Sequence, residues 1–172
     1  LERAAQANLT TFVVDHTKYG SREEFDAALL AEILRHNPDL VVLAGFMRIL
    51  TPEFVARFSE RLMNIHPSLL PLYPGLHTHQ RALDNGDSHA GATVHYVTGE
   101  LDGGPPVLQA KVPVNSGDDA DALAARVLAV EHQIYPVAIN WHLCGRLTWE
   151  DGSLIKDGMP VPPSGELWES TS

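Results

Sequence analysis

The chain has 172 residues, a formal net charge of −10 and one cysteine, Cys144. That length suits one domain with a sizeable core, and the acidic balance argues against broad binding to nucleic acid or to an anionic membrane, since both need a basic surface. A lone cysteine excludes an internal disulfide and suits the reducing cytoplasm, no apolar run approaches the ~20 residues of a membrane span, and no signal peptide is visible.

In chain order, residues 1–6 read as helix interior, and the β-rich run 10–14 predicts a short strand. Ser21-Arg-Glu-Glu24 is a capping box. It opens a helix whose apolar spacing runs through Phe25, Leu29, Ile33 and Leu34 and which ends at Asn37-Pro38. Residues 39–44 hold a continuous apolar run, as expected of a central parallel strand. A loop over 45–49 leads to Thr51-Pro52, the N-cap and first residue of a short helix. Residues 62–66 predict a strand, 67–76 a loop, and 77–83 a helix closing at Asn85-Gly86. Strands are expected at 93–97 and 107–114, facing each other across the loop 99–106. A long helix is expected over 118–145, kinked or divided at Pro136. A hairpin around Asp151-Gly152 follows, then a Pro- and Ser-rich stretch over 160–172, whose end, 164–172, is expected to be a loose tail. Strand–helix alternation up to residue 97 predicts an α/β fold with a mostly parallel sheet that later strands join antiparallel.

The most informative stretch is Asn64-Ile-His66-Pro-Ser-Leu-Leu-Pro71. Strand side chains alternate, so Asn64 and His66 share a face, and Pro67 stops the strand just beyond them. An amide and an imidazole at a carboxyl strand end occupy the place where open α/β sheets bind ligands. Together they suit a carbonyl oxygen that is becoming an oxyanion. Asp102, in a Gly-rich loop after the next strand, would orient the ring and favour its charged form. Each has a plainer reading alone, His66 as a structural histidine and Asp102 as half of an Asp-Gly turn.

These residues, with Tyr73-Pro-Gly-Leu-His-Thr-His79 and Leu101-Asp102-Gly-Gly, closely resemble the phosphoribosylglycinamide formyltransferase family. The resemblance implies a Rossmann-like formyltransferase fold over residues 1–163: a mostly parallel twisted sheet flanked by helices. The reaction it implies is formyl transfer from the co-substrate 10-formyltetrahydrofolate to the amine of glycinamide ribonucleotide, in purine biosynthesis. It makes Asn64, His66 and Asp102 catalytic: Asn64 and protonated His66 donate to the developing oxyanion, and Asp102 keeps His66 charged. It gives the folate to Met47, Arg48, Ile49 and Leu50, with backbone groups of Arg48 and Leu50 pairing to the heterocycle. Leu43, Phe46, Ile49, Val55, Leu62 and Val97 would wall it. Val97, Thr98, Gly99, Glu100, Leu101 and Asp102 would close the other side beside Asn64, and Arg22 would reach the folate. Glu131 would contact the amine or ribose side of glycinamide ribonucleotide. Gly99 stands where the family usually carries an acidic or bulkier residue.

Family members begin with a strand, a Gly-rich phosphate loop, a helix and a second strand, none of which is in this sequence. The chain is therefore expected to lack that segment, to bind glycinamide ribonucleotide poorly, and to aggregate or form a homodimer until roughly forty upstream residues, about one β-α-β unit, are restored.

The nine histidines raise the question of zinc, but no His-Glu-x-x-His or paired-Cys spacing exists. His77 and His79, two apart, face different ways on a helix. No metal is expected there, and these two read as loop-shaping or helix-capping residues. Cys144, far along the chain at a helix end, does not read as a nucleophile. Formyltetrahydrofolate hydrolase, which uses water as acceptor, methionyl-tRNA formyltransferase, and a non-catalytic folate-binding fragment are the rival readings.

Overall fold

A computed structural model describes residues 1–168. The chain divides into two compact units, one over Leu1–Pro38 and one from Asp39 onward.

The first unit carries helix α1 (Glu2–Gln6), a 3-10 turn at His16–Lys18 and helix α2 (Arg22–Leu34). The Ser21 hydroxyl accepts from the Glu24 amide at 3.1 Å, as the capping box predicts. The Glu24 carboxylate, however, takes the Gly20 N–H at 2.9 Å rather than that of Ser21, so the box closes one residue further out. Residues 10–14 form no strand. A β-prone run needs a ladder partner, and no strand pairing of the described residues includes it.

The second unit runs β1 (Val41–Leu43), α3 (Pro52–Arg57), β2 (Leu62–His66), α4 (Thr78–Asp84), β3 (His89–Tyr96), β4 (Pro106–Pro113), α5 (Ala120–Leu143), β5 (Leu147–Glu150), β6 (Ser153–Lys156), β7 (Met159–Pro160) and β8 (Glu166–Leu167). Its main sheet has the order β1-β2-β3-β4-β8. β1 pairs parallel with β2, β3 antiparallel with both β2 and β4, and β8 parallel with β4. Four of the five strands therefore run one way, and β3 alone opposes them. The fold is α/β and Rossmann-like, with the mostly parallel sheet that the alternation predicts. β1 lies at the end of the order rather than at its centre, and its Val42 is 43% exposed.

The tail is not loose throughout. Glu166–Leu167 pairs with β4 and the Trp168 amide donates to the Gln109 carbonyl at 2.7 Å; positions 169–172 lie outside the described residues. β5, β6 and β7 make a separate three-stranded sheet. Its Asp151-Gly152 and Asp157-Gly158 turns have positive φ at all four residues, the signature of type I′ hairpins.

α5 runs unbroken through Pro136. An interior proline costs about 3 kcal/mol. Around it Ile134 and Ala138 are fully buried and Tyr135 nearly so. At about 1.5–3 kcal/mol per large apolar side chain, that burial outweighs the loss. With Leu123 and Val127, these residues cover Met63, Val94 and Leu108 of the sheet.

The Tyr135 hydroxyl also donates to the carbonyls of Leu43 (2.8 Å) and Met63 (3.1 Å), tying the ends of β1 and β2 to the helix. Tyr135→Phe leaves both carbonyls short of a donor in a buried setting. It should lower unfolding stability by about 1–2 kcal/mol, read as a lower urea midpoint at unchanged m-value.

Candidate active site

β2 ends where the site begins. Asn64 lies opposite His95 of β3 and His66 opposite Thr93, and Pro67 ends the ladder. The chain then turns back between β3 and β4 to deliver Asp102. The Gly103 amide donates to the Glu100 carbonyl at 3.2 Å, and Asp102 sits in the left-handed region at φ 51°. Gly104 is required here, since a Cβ on it would stand 1.8 Å from the Tyr96 carbonyl oxygen.

Asp102 Oδ2 lies 3.5 Å from His66 Nδ1, with only 8% of the His66 side chain and 9% of the Asp102 side chain exposed. The Gly75 amide donates to the same oxygen at 2.9 Å. His66 Nε2 donates to the Tyr73 carbonyl at 2.9 Å. A carbonyl only accepts, so Nε2 carries a proton, and Nδ1 is left facing the carboxylate.

The segment after His66 is held from several sides. Thr93 Oγ1 accepts from the Leu70 amide and donates to the Ser68 carbonyl, and the Gln109 side-chain amide donates to the Leu70 carbonyl. Further on, the Tyr73 hydroxyl donates to Asp87 at 2.7 Å. Arg81 lies over the Tyr73 ring, 5.1 Å from its centroid, and donates to the Pro74 carbonyl.

Two cavities meet at this point. The smaller, of about 100 Å³, is walled by Leu43, Phe46, Ile49, Leu50 and Val55 on one side and residues 97–102 on the other, with Arg48, Asn64 and His95 completing it. The larger, of about 590 Å³, takes in Met47, His66, His77, His79 and Glu131. Asn64, Asp102, Arg48 and Ile49 line both. Leu62, expected as a wall, is 1% exposed and lines neither cavity. Arg22 belongs to the first unit, at the start of α2, ion-paired with Glu23 at 3.2 Å.

His77 is the N-cap of α4 at φ 59° but makes no side-chain cap bond, so it does not cap as expected. His79, half-buried, has its basicity lowered by burial and then by the nearby His66. No group of three or more His, Cys, Asp or Glu among the described residues could hold a metal ion. His95 is the residue that sequence reasoning underrated. No motif singles it out, and its register opposite Asn64 is what brings it into the site.

The model of the formyl transferase family matches residues 1–139. The chain belongs to that family. Among relatives of this formyl transferase, the phosphoribosylglycinamide formyltransferase of Escherichia coli K12 is 54% identical over 165 residues, covering 96% of this chain and 78% of that protein. The enzyme of the same name from Haemophilus influenzae is 46% identical over the same shares. The solved structure of the Coxiella burnetii phosphoribosylglycinamide formyltransferase superposes with a TM-score of 0.91 at 43% identity, covering 98% of this chain and 79% of that one.

Glu131 is half-buried on α5, and burial raises its pKa above the usual 4.5, offset in part by His132. A raised carboxyl pKa means that folding favours the protonated acid. Stability is then greatest below about pH 4.5 from this group and is lost as pH rises through the higher folded value. Glu131→Gln should therefore raise the thermal midpoint of the free protein at pH 8 while leaving it little changed at pH 4, as melts at the two pH values would show.

Proposed function

We propose that this formyl transferase moves the formyl group of 10-formyltetrahydrofolate to the amine of glycinamide ribonucleotide in de novo purine biosynthesis. The observation that carries the reading is the junction of two cavities at Asn64 and Asp102, with His66 against Asp102, in a chain 54% identical to an enzyme of that name. One cavity has apolar walls suited to a heterocycle, with Arg48, Asn64 and Asp102 at its polar side. The other is larger and carries an acid suited to an amine.

On this reading the folate lies between residues 47–50 and residues 97–102, and Glu131 receives the amine side of the nucleotide. The amine nitrogen attacks the formyl carbon and the C=O electrons move onto oxygen. Asn64 and the His66 imidazolium stabilise that oxyanion. The amine then loses its proton, the folate nitrogen gains one, and the C–N bond to folate breaks as the carbonyl re-forms. Asp102 holds His66 in the charged form and relays the proton through water. The reaction needs no covalent enzyme intermediate and no metal.

The domain that does this takes in residues 1–163, with β8 adding to its sheet. A cytoplasmic enzyme without nucleic-acid or membrane partners, able to form a homodimer, fits the charge of −10, the free exposed Cys144 and the lack, among the described residues, of a helix long and apolar enough to cross a membrane.

His66→Ala and Asp102→Asn should each lower turnover by at least ~100-fold, the scale for losing a positioned proton or oxyanion donor, with folate binding little changed. Near-normal turnover in either variant would remove that residue from the mechanism. Exhaustive chelation should leave formyl transfer intact; loss on EDTA treatment with recovery on adding zinc would contradict the metal-free chemistry. Product formation with glycinamide ribonucleotide, but not with water or tRNA as acceptor, separates this enzyme from its sister activities.

A further inference from the structure

An oxyanion site needs a donor that faces the right way, and a side-chain amide carries a donor and an acceptor on nearly identical arms. Nothing in Asn64 itself decides which arm faces the small cavity. His95 lies directly across the β2–β3 ladder from Asn64, just past a bulge between Val94 and His95 against β4. Its ring is 2% exposed and lines the same cavity. His95 Nδ1 lies 2.9 Å from the Tyr96 carbonyl, which can only accept, so Nδ1 carries the proton. In the neutral ring Nε2 is then a bare lone pair. That lone pair stands 3.3 Å from the Asn64 amide nitrogen, whereas Asp102 Oδ1 is at 3.8 Å.

We infer that His95 is a positioning residue for the reaction: as a neutral acceptor it pins the Asn64 amide so that its second N–H, not its carbonyl, faces the formyl oxygen. Turning the amide over would set its oxygen against the Nε2 lone pair, two acceptors with no proton between them. Burial keeps the ring neutral in spite of Asp102, because the desolvation cost of a charged ring is the largest influence on it. The order of control runs from the Tyr96 carbonyl to the His95 tautomer, to the Asn64 amide, to the oxyanion. Asp102 completes the arrangement by giving its nearer oxygen to His66 and leaving His95 neutral.

The kinetic part of this inference rests on the formyl-transfer reading; the ring geometry does not. The first test is a 15N spectrum of the histidine rings in the intact wild-type protein, free of ligand. His95 should show a protonated Nδ1 and an unprotonated Nε2 at neutral pH. A protonated Nε2 overturns the inference. The second test is a double-mutant cycle. His95→Phe should lower kcat ~10–100-fold, less than the loss of a donor outright, with KM for the folate held within about threefold. In an Asn64→Ala background the same substitution should cost no more than about twofold, because the group it acts through is gone. An equal loss in both backgrounds marks a general structural role and overturns the inference. If the wild-type chain transfers no formyl group, the functional reading falls while the nitrogen spectrum still decides the geometry. If the wild type is active and the cycle is additive, this inference falls alone. A variant that fails to fold leaves the spectrum of the wild type to decide.

Discussion

One buried carboxylate organises this site. Asp102 is largely removed from water, and a charge so placed is tolerated only when its oxygens are occupied. One oxygen takes the Gly75 amide and faces His66. Those neighbours come from the segment after β2 and from the end of β2. The turn that carries Asp102 is a third segment. None of the three can shift far without leaving a buried charge short of a partner, which is why so small a constellation can hold its geometry.

The sheet supplies the rest of the rigidity. β3 runs against its neighbours, so the Asp102 turn leaves the sheet beside the start of β2, where the Val97 amide donates to the Leu62 carbonyl, and it folds back along the strand to bring Asp102 to His66. Tyr135 holds β1 and β2 to α5 from below, and the same helix presents Glu131 to the larger cavity. The apolar stripe of α5 thus does two things at once: it buries the core and sets the distance between the end of β2 and Glu131 in the larger cavity.

Much of this was legible in the residues. Alternation along β2 puts Asn64 and His66 on one face, and the proline after them marks the strand end. The capping box, the Thr51 cap and the Asp151-Gly152 turn are local signals, and local signals survive folding. What escaped depended on partners distant in sequence. The run 10–14 has strand composition but no ladder. Residues 166–167 have weak strand composition and acquire a ladder from β4. Pro136 breaks a helix in isolation and fails to when its neighbours are buried. The grip on His66 and Asp102 comes from backbone groups of Tyr73 and Gly75, and a backbone atom leaves no mark in a residue pattern. His95 was visible as a residue but not as a neighbour, because register across a hairpin is set by the turn and bulge and not by composition.

The loop between β3 and β4 is divided in how freely it can change. At Gly104 the backbone passes so close to Tyr96 that no side chain fits. At Gly99, a few residues away on the same loop, a Cβ would meet only open space, and φ there is ordinary. Thr98, Gly99, Glu100 and Leu101 are all exposed. The anchor that aims Asp102 is therefore closed to substitution, while the rim bordering the smaller cavity is open to it. Selection can vary the rim, and with it the shape of the smaller cavity, without moving the Asp102 carboxylate.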